Sequence, residues 1–124
     1  MVSTFYTRLG AGDLDGALDL LAANVNWTSV EGFPNSGSYH GPQAVRDGVF
    51  AHFASDWTEF NAVPERFIPA DATVVVLGRY TGAYRGSYRR LQARFAHVWE
   101  GADGKLVQFL QISDTALVRD AMRP

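Results

Sequence analysis

The chain has 124 residues, of which 47% are hydrophobic, 13% aromatic and 19% charged, the composition of a single folded domain over 1–124 with enough apolar content for a real core. A formal charge of −2 gives no global positive field to hold a polyanion, which argues against a nucleic-acid partner. Without cysteine, disulfides, thiol nucleophiles and thiolate metal sites are excluded.

Val2, Phe5, Tyr6 and Leu9 recur at helical spacing until Gly10 and Gly12 interrupt the pattern. The opening residues lack a basic segment followed by an apolar run, and no stretch is long and apolar enough for a membrane span. The expectation is therefore a soluble cytoplasmic protein with no membrane partner. Asp13 can cap a second helix with the apolar face Leu14, Ala17, Leu18 and Leu21, ending near Asn24. Val25 to Glu31 reads as a strand whose alternation puts Trp27, Ser29 and Glu31 on one face, and a loop from Gly32 to Gly41 follows. Pro42 opens a third helix, because proline at the first helical position gives up only an amide that had no partner.

Beyond the helices the period changes to two. Glu59 to Ile68 contains Pro64, which removes a ladder donor and marks an edge strand or a bulge. A turn at Ala70-Asp71-Ala72 leads into a strand from Thr73 to Tyr80, with Val74, Val76, Gly78 and Tyr80 on one face. Leu91–Glu100 and Lys105–Thr115 read as two long strands joined by Gly101-Ala102-Asp103-Gly104. Asp114 suits the cap of a short last helix. The arginine- and tyrosine-rich stretch from Arg79 to Arg90 reads as a solvated hairpin tip, since the domain as a whole is acidic. Helices segregated ahead of a meandering sheet imply an α+β domain.

Ala11-Gly12-Asp13-Leu14-Asp15, the strand at Val25-Asn26-Trp27, Tyr39-His40-Gly41-Pro42 and Asp103-Gly104-Lys105-Leu106 occur in an order and spacing that resembles the SnoaL-like branch of the NTF2-like superfamily. The likeness covers nearly the whole chain. It implies a conical α+β barrel, a curved antiparallel sheet packed on N-terminal helices around a deep pocket, often dimerising through the convex face. The resemblance also implies where enzyme members carry their acids. In ketosteroid isomerase an aspartate base moves a proton while a tyrosine and a protonated aspartate hold the oxyanion; the tyrosine position aligns near Phe5, the base near Ser29 and the second acid near Ala96. Relatives similar to limonene epoxide hydrolase and to polyketide cyclases place acids at the positions of Ala96 and Gln111. Each of those acids is replaced here.

Strand parity, with the last two strands aligned by their hairpin, sends Arg94, Ala96 and Val98 inward with Val107, Phe109, Gln111 and Ser113. It sends Phe95, His97 and Trp99 outward with Leu106, Leu110 and Ile112. The pocket is then lined by Trp27, Ser29, Val76, Ala96, Phe109 and Gln111, with Glu31, Arg94 and Tyr80 as candidate catalytic groups. Arg94 either holds a substrate oxygen or pairs with Glu31. His40, His52 and His97 lack the paired spacing of a metal site, and neither a metal nor a cofactor is expected.

Two functions fit. One is a cofactor-independent isomerase, cyclase or lyase acting on a small hydrophobic carbonyl compound, with oxyanion stabilisation by Arg94, Gln111 and Tyr80 and a proton carried by Glu31 or water. The alternative is a noncatalytic ligand-binding or dimerisation module. The outward apolar residues point to a homodimer.

Overall fold

A computed structural model describes residues 1–124. Helix α1 (Val2–Gly10) buries Val2, Phe5 and Tyr6. Helix α2 (Leu14–Leu18) is capped by Asp13, whose carboxylate accepts the Gly16 N–H at 2.9 Å. The Arg8 guanidinium donates to the Gly16 carbonyl at 2.8 Å and ties the two helices together. The second helix is shorter than its apolar spacing predicts, because Leu21 already belongs to strand β1 (Leu21–Ser29).

The predicted loop after this strand contains a short strand, β2 (Gly37–His40), paired antiparallel with β1 through Trp27 and Tyr39. The connecting helical segment runs from α3 (Pro42–Val45) through a π-helical turn at Arg46–Phe50 into α4 (Ala51–Asp56). Four strands follow: β3 (Trp57–Ala70), β4 (Thr73–Tyr84), β5 (Arg90–Ala102) and β6 (Lys105–Ser113). Helix α5 (Thr115–Ala121) closes the chain with Asp114 accepting the Leu117 N–H at 3.2 Å. Pro64 sits in edge strand β3 beside a register break, as a residue without an N–H must.

The six strands form one sheet in the order β2-β1-β6-β5-β4-β3. This corrects the expected conical barrel with a curved antiparallel sheet. The sheet ends in two separate edges, β2 and β3, and does not close or curl strongly. It is also mixed, because β1 runs parallel to β6, bringing Trp27 opposite Phe109 and Ser29 opposite Gln111. The helices cover one face of the sheet, and the core lies between them. No helix is long and apolar enough to cross a membrane.

The register of β5 against β6 decides which side chains reach that core. A two-residue turn, Asp103-Gly104, has positive φ at both positions (53° and 77°), the conformation that matches the twist of a tight hairpin. Next to it, Glu100 pairs with Gln108 and Gly101 with Leu106, so Val107 is an extra residue in β6. The result pairs His97, not Arg94, with Gln111. A slip by an odd number of residues exchanges the two faces. Leu91, Ala93, Phe95, His97 and Trp99 are therefore buried, while Arg94 is exposed and Ala96 and Val98 are half-buried on the opposite face.

Candidate functional site

A cavity of about 400 Å³ opens between the helices and the covered face of the sheet. Its wall is predominantly apolar and rich in aromatic residues. Phe5 and Tyr6 come from α1, Phe33 from the loop before β2, Phe50 and Phe53 from the π-helical turn and α4, and Phe60 from β3. Trp27 stacks on Phe109 with ring centroids 3.7 Å apart, a contact made possible by the parallel pairing of β1 with β6. Burying a side chain the size of Phe109 contributes about 1.5–3 kcal/mol, so the cavity wall is also part of what holds the domain together.

Of the residues singled out in the sequence, Trp27, Ser29, Tyr80, Phe109 and Gln111 line this cavity. Val76 is fully buried in the core behind it. Glu31 is exposed in the turn after β1, and Arg94 and Ala96 lie on the uncovered face of the sheet. Glu31 and Arg94 form no ion pair with each other or with any other residue. The structure thus brings together the tyrosine, the glutamine and the apolar residues, and separates them from both charged groups. Phe95, His97, Trp99 and Leu106, expected on the outer face, point into the core, because the bulge at Val107 reverses the parity of β5.

His97 is the polar centre of the site. Its Nδ1 lies 2.5 Å from the Tyr6 hydroxyl and its Nε2 lies 2.7 Å from the Tyr80 hydroxyl, and the Trp99 indole N–H donates to the Tyr6 oxygen at 2.9 Å. Burial pushes the His97 pKa well below the usual histidine value, so the ring is neutral. Burial likewise pushes both phenols well above the ordinary tyrosine value, opposed at Tyr6 by the Trp99 hydrogen bond. At Tyr80 the nearby Gln111 amide opposes burial and Tyr6 adds to it. These three groups are hydrogen-bond donors and acceptors at neutral pH and carry no charge.

Gln111 is 2% exposed, and its Oε1 accepts the Val30 N–H at 3.4 Å. The same N–H donates to the Gln111 main-chain carbonyl at 3.1 Å, so the side-chain contact is the weaker branch, and Nε2 has no hydrogen bond although the amide lies near Tyr80. The Trp27 indole N–H is also buried without a partner. Unpartnered buried donors are uncommon in folded proteins, and here two belong to residues of one cavity wall. Glu59, exposed, is the one carboxylate of the lining, held at φ 53° beside a break in the β3–β4 register, and Arg85 belongs to the same lining. No group of three His, Asp or Glu side chains comes together as a metal site would require.

Sequence reasoning missed His97, Tyr6 and Phe33. For His97 a usable signal existed in β5 itself, where Gln92, Arg94 and Glu100 share one parity and Leu91, Phe95 and Trp99 the other.

Comparison with known proteins agrees with this geometry. An NTF2-like protein from Burkholderia thailandensis is 32% identical, and the match covers 99% of this chain and 95% of that one with a TM-score of 0.96. An NTF2-like protein from Burkholderia pseudomallei is 28% identical, with 99% and 95% covered and a TM-score of 0.90. TerC, crystallised with polyporic acid, shares the fold at 22% identity, with 98% and 94% covered and a TM-score of 0.87. A search of curated proteins finds no significant match. The SnoaL-like domain profile matches residues 2–109, and the chain belongs to that family, within the NTF2-like superfamily and related in fold to ketosteroid isomerases and polyketide cyclases.

Proposed function

We propose that this protein binds a small, largely apolar carbonyl compound in the cavity between its helices and sheet. The observation that carries the reading is the cavity itself: about 400 Å³, apolar in most of its wall, with a few uncharged polar groups at one place in it. Sites for small organic molecules have this size and character. The co-crystallisation of TerC with polyporic acid supports a small-molecule ligand for the fold. Titration of tryptophan emission with 2-acetonaphthone tests the proposal, because Trp27 lies in the wall. Saturable quenching that disappears in Ser29→Phe, which fills the cavity, is the expected result. Linear quenching, identical in both proteins, would count against it.

The buried hydroxyl of Tyr80 favours a second, catalytic reading: a cofactor-independent isomerase, cyclase or lyase. Tyr80 and Gln111 polarise the carbonyl oxygen, and the exposed Glu59 of the lining, or water, moves the proton. Neutral His97 has both ring nitrogens engaged, so it supports Tyr80 and does not take the proton itself. Glu31 and Arg94 have no part in this scheme because neither lines the cavity. In D₂O, wild-type protein then accelerates exchange of the α-protons of a bound ketone. Tyr80→Phe slows the exchange by roughly a hundredfold, the scale of one oxyanion donor. Exchange at the uncatalysed rate would leave only the binding function.

We further propose that the uncovered face of the sheet pairs with a second copy of the chain. Two rows of apolar side chains cross it in register, Val75-Val98-Leu110 and Leu77-Ala96-Ile112, with Ile112 45% exposed. A patch of this kind on a lone domain usually marks an association surface.

A further inference from the structure

We propose that the cavity selects ligands presenting a hydrogen-bond acceptor without a donor, a ketone or quinone oxygen in preference to the corresponding alcohol, and that Trp99 is the positioning residue that sets this polarity. The inference rests on the small-molecule reading above.

The Trp99 indole nitrogen can only donate. It donates to the Tyr6 oxygen at 2.9 Å. A phenol oxygen makes two in-plane hydrogen bonds, and the second partner of Tyr6 is His97 Nδ1 at 2.5 Å. With one direction already occupied by an incoming N–H, the Tyr6 proton lies in the other and is donated to Nδ1. The ring proton of neutral His97 is therefore on Nε2, which donates to the Tyr80 oxygen at 2.7 Å. The opposite tautomer would aim two donors at Tyr6 and strand its own hydroxyl proton in the core, where no third partner exists.

The chain thus runs in one direction, from Trp99 through Tyr6 and His97 to Tyr80. It ends with the Tyr80 proton, which has no protein acceptor. Two further donors in the same wall are without partners, Gln111 Nε2 and Trp27 Nε1. The acceptor side of Gln111 is already engaged by the Val30 N–H. Among the buried polar groups of the wall, the Ser29 hydroxyl is the one with no side-chain hydrogen bond inside the protein that still has both a proton to donate and lone pairs to accept. A carbonyl oxygen satisfies two of these donors with its two lone pairs. An alcohol at the same place brings a proton of its own among donors and leaves at least one group unpaired, a loss on the scale of about tenfold in affinity.

Equilibrium dialysis with 9-fluorenone, 9-fluorenol and fluorene tests the inference. The expected order puts fluorenone about tenfold tighter than the other two, with its carbonyl stretching band at lower frequency when bound than in alkane solvent. Tyr80→Phe and Gln111→Leu bring the three affinities together and return the band toward its alkane position. Nitrogen-15 NMR of wild-type His97 shows the Nε2–H tautomer. Trp99→Phe, which retains an aromatic ring but removes the fixed donor, shifts the ring toward Nδ1–H and lowers the preference for fluorenone. Loss of packing alone would not exchange the tautomer. Should Trp99→Phe fail to fold, the wild-type tautomer and the order of the three affinities decide the inference by themselves. Fluorenol binding as tightly as fluorenone, or wild-type His97 protonated on Nδ1, would overturn the proposed polarity while fluorene binding still upheld the cavity as a ligand site. Failure of all three compounds to bind would overturn both.

Discussion

His97 shows how far a single side chain can be read by its surroundings. Burial depresses its pKa well below that of an exposed histidine. In the unfolded chain the same ring titrates near ~6.5. The unfolded state therefore takes up a proton as pH falls through that value, while the native state does not. Stability from this residue is complete above the unfolded pKa and is lost on acidification, with a limiting slope of about 1.4 kcal/mol per pH unit for one proton. Urea midpoints measured from pH 7.5 to 5.5 are expected to decline in the wild type. In His97→Gln, which keeps an uncharged polar side chain, the decline over that window becomes shallower, although the absolute midpoint is lower because Tyr6 and Tyr80 lose a partner. Parallel pH profiles for the two proteins would refute the assignment.

At the scale of the element, caps were the easiest features to read and strand register the hardest. Asp114 was legible because an aspartate ahead of a short apolar helix has one job to do, and its carboxylate does accept the Leu117 N–H. Asp114→Ala is expected to lower stability by about 1 kcal/mol, checked by chemical denaturation. The register of β5 and β6 was hidden for a different reason. Tightening the turn to Asp103-Gly104 moves the pairing by an even step and leaves the faces unchanged, whereas the added residue Val107 moves it by one more and exchanges them. No turn signal reports a bulge two residues away. Deleting Val107 removes the bulge and its local twist but keeps Leu106 opposite Gly101 and Gln108 opposite Glu100, so the faces stay as they are and a cooperative unfolding transition is expected to survive. Val107→Ala, at a half-buried position, is expected to cost at most about 1 kcal/mol, checked by chemical denaturation.

For the whole molecule, composition and element order were sufficient for the α+β class, and the order of motifs was sufficient for the family. Closure of the sheet was not legible, because whether six strands form a ring depends on the pairing of β2 and β3, and both are edges. The parallel partnership of β1 with β6 was equally hidden, since nothing local in either strand specifies a partner some eighty residues away. The proposed dimer belongs to this scale too. Analytical ultracentrifugation at micromolar concentration is expected to show a dimer for the wild type and a monomer for Ile112→Arg, which places charge in the middle of the uncovered apolar rows. A wild-type monomer would refute the pairing.

The pairing of β1 with β6 also imposes an order on synthesis. Trp27 is made early, yet its stacking partner Phe109 and its neighbouring strand follow some eighty residues later. Until then the aromatic face of β1 has no sheet to join, and the edge of β5 that will receive β6 stays open. Contacts so distant along the chain fold slowly and leave strand edges exposed in the interim. A nascent chain stalled before Lys105 would therefore be a substrate for chaperones, and the ligand cavity would come into being only as the last strand left the ribosome.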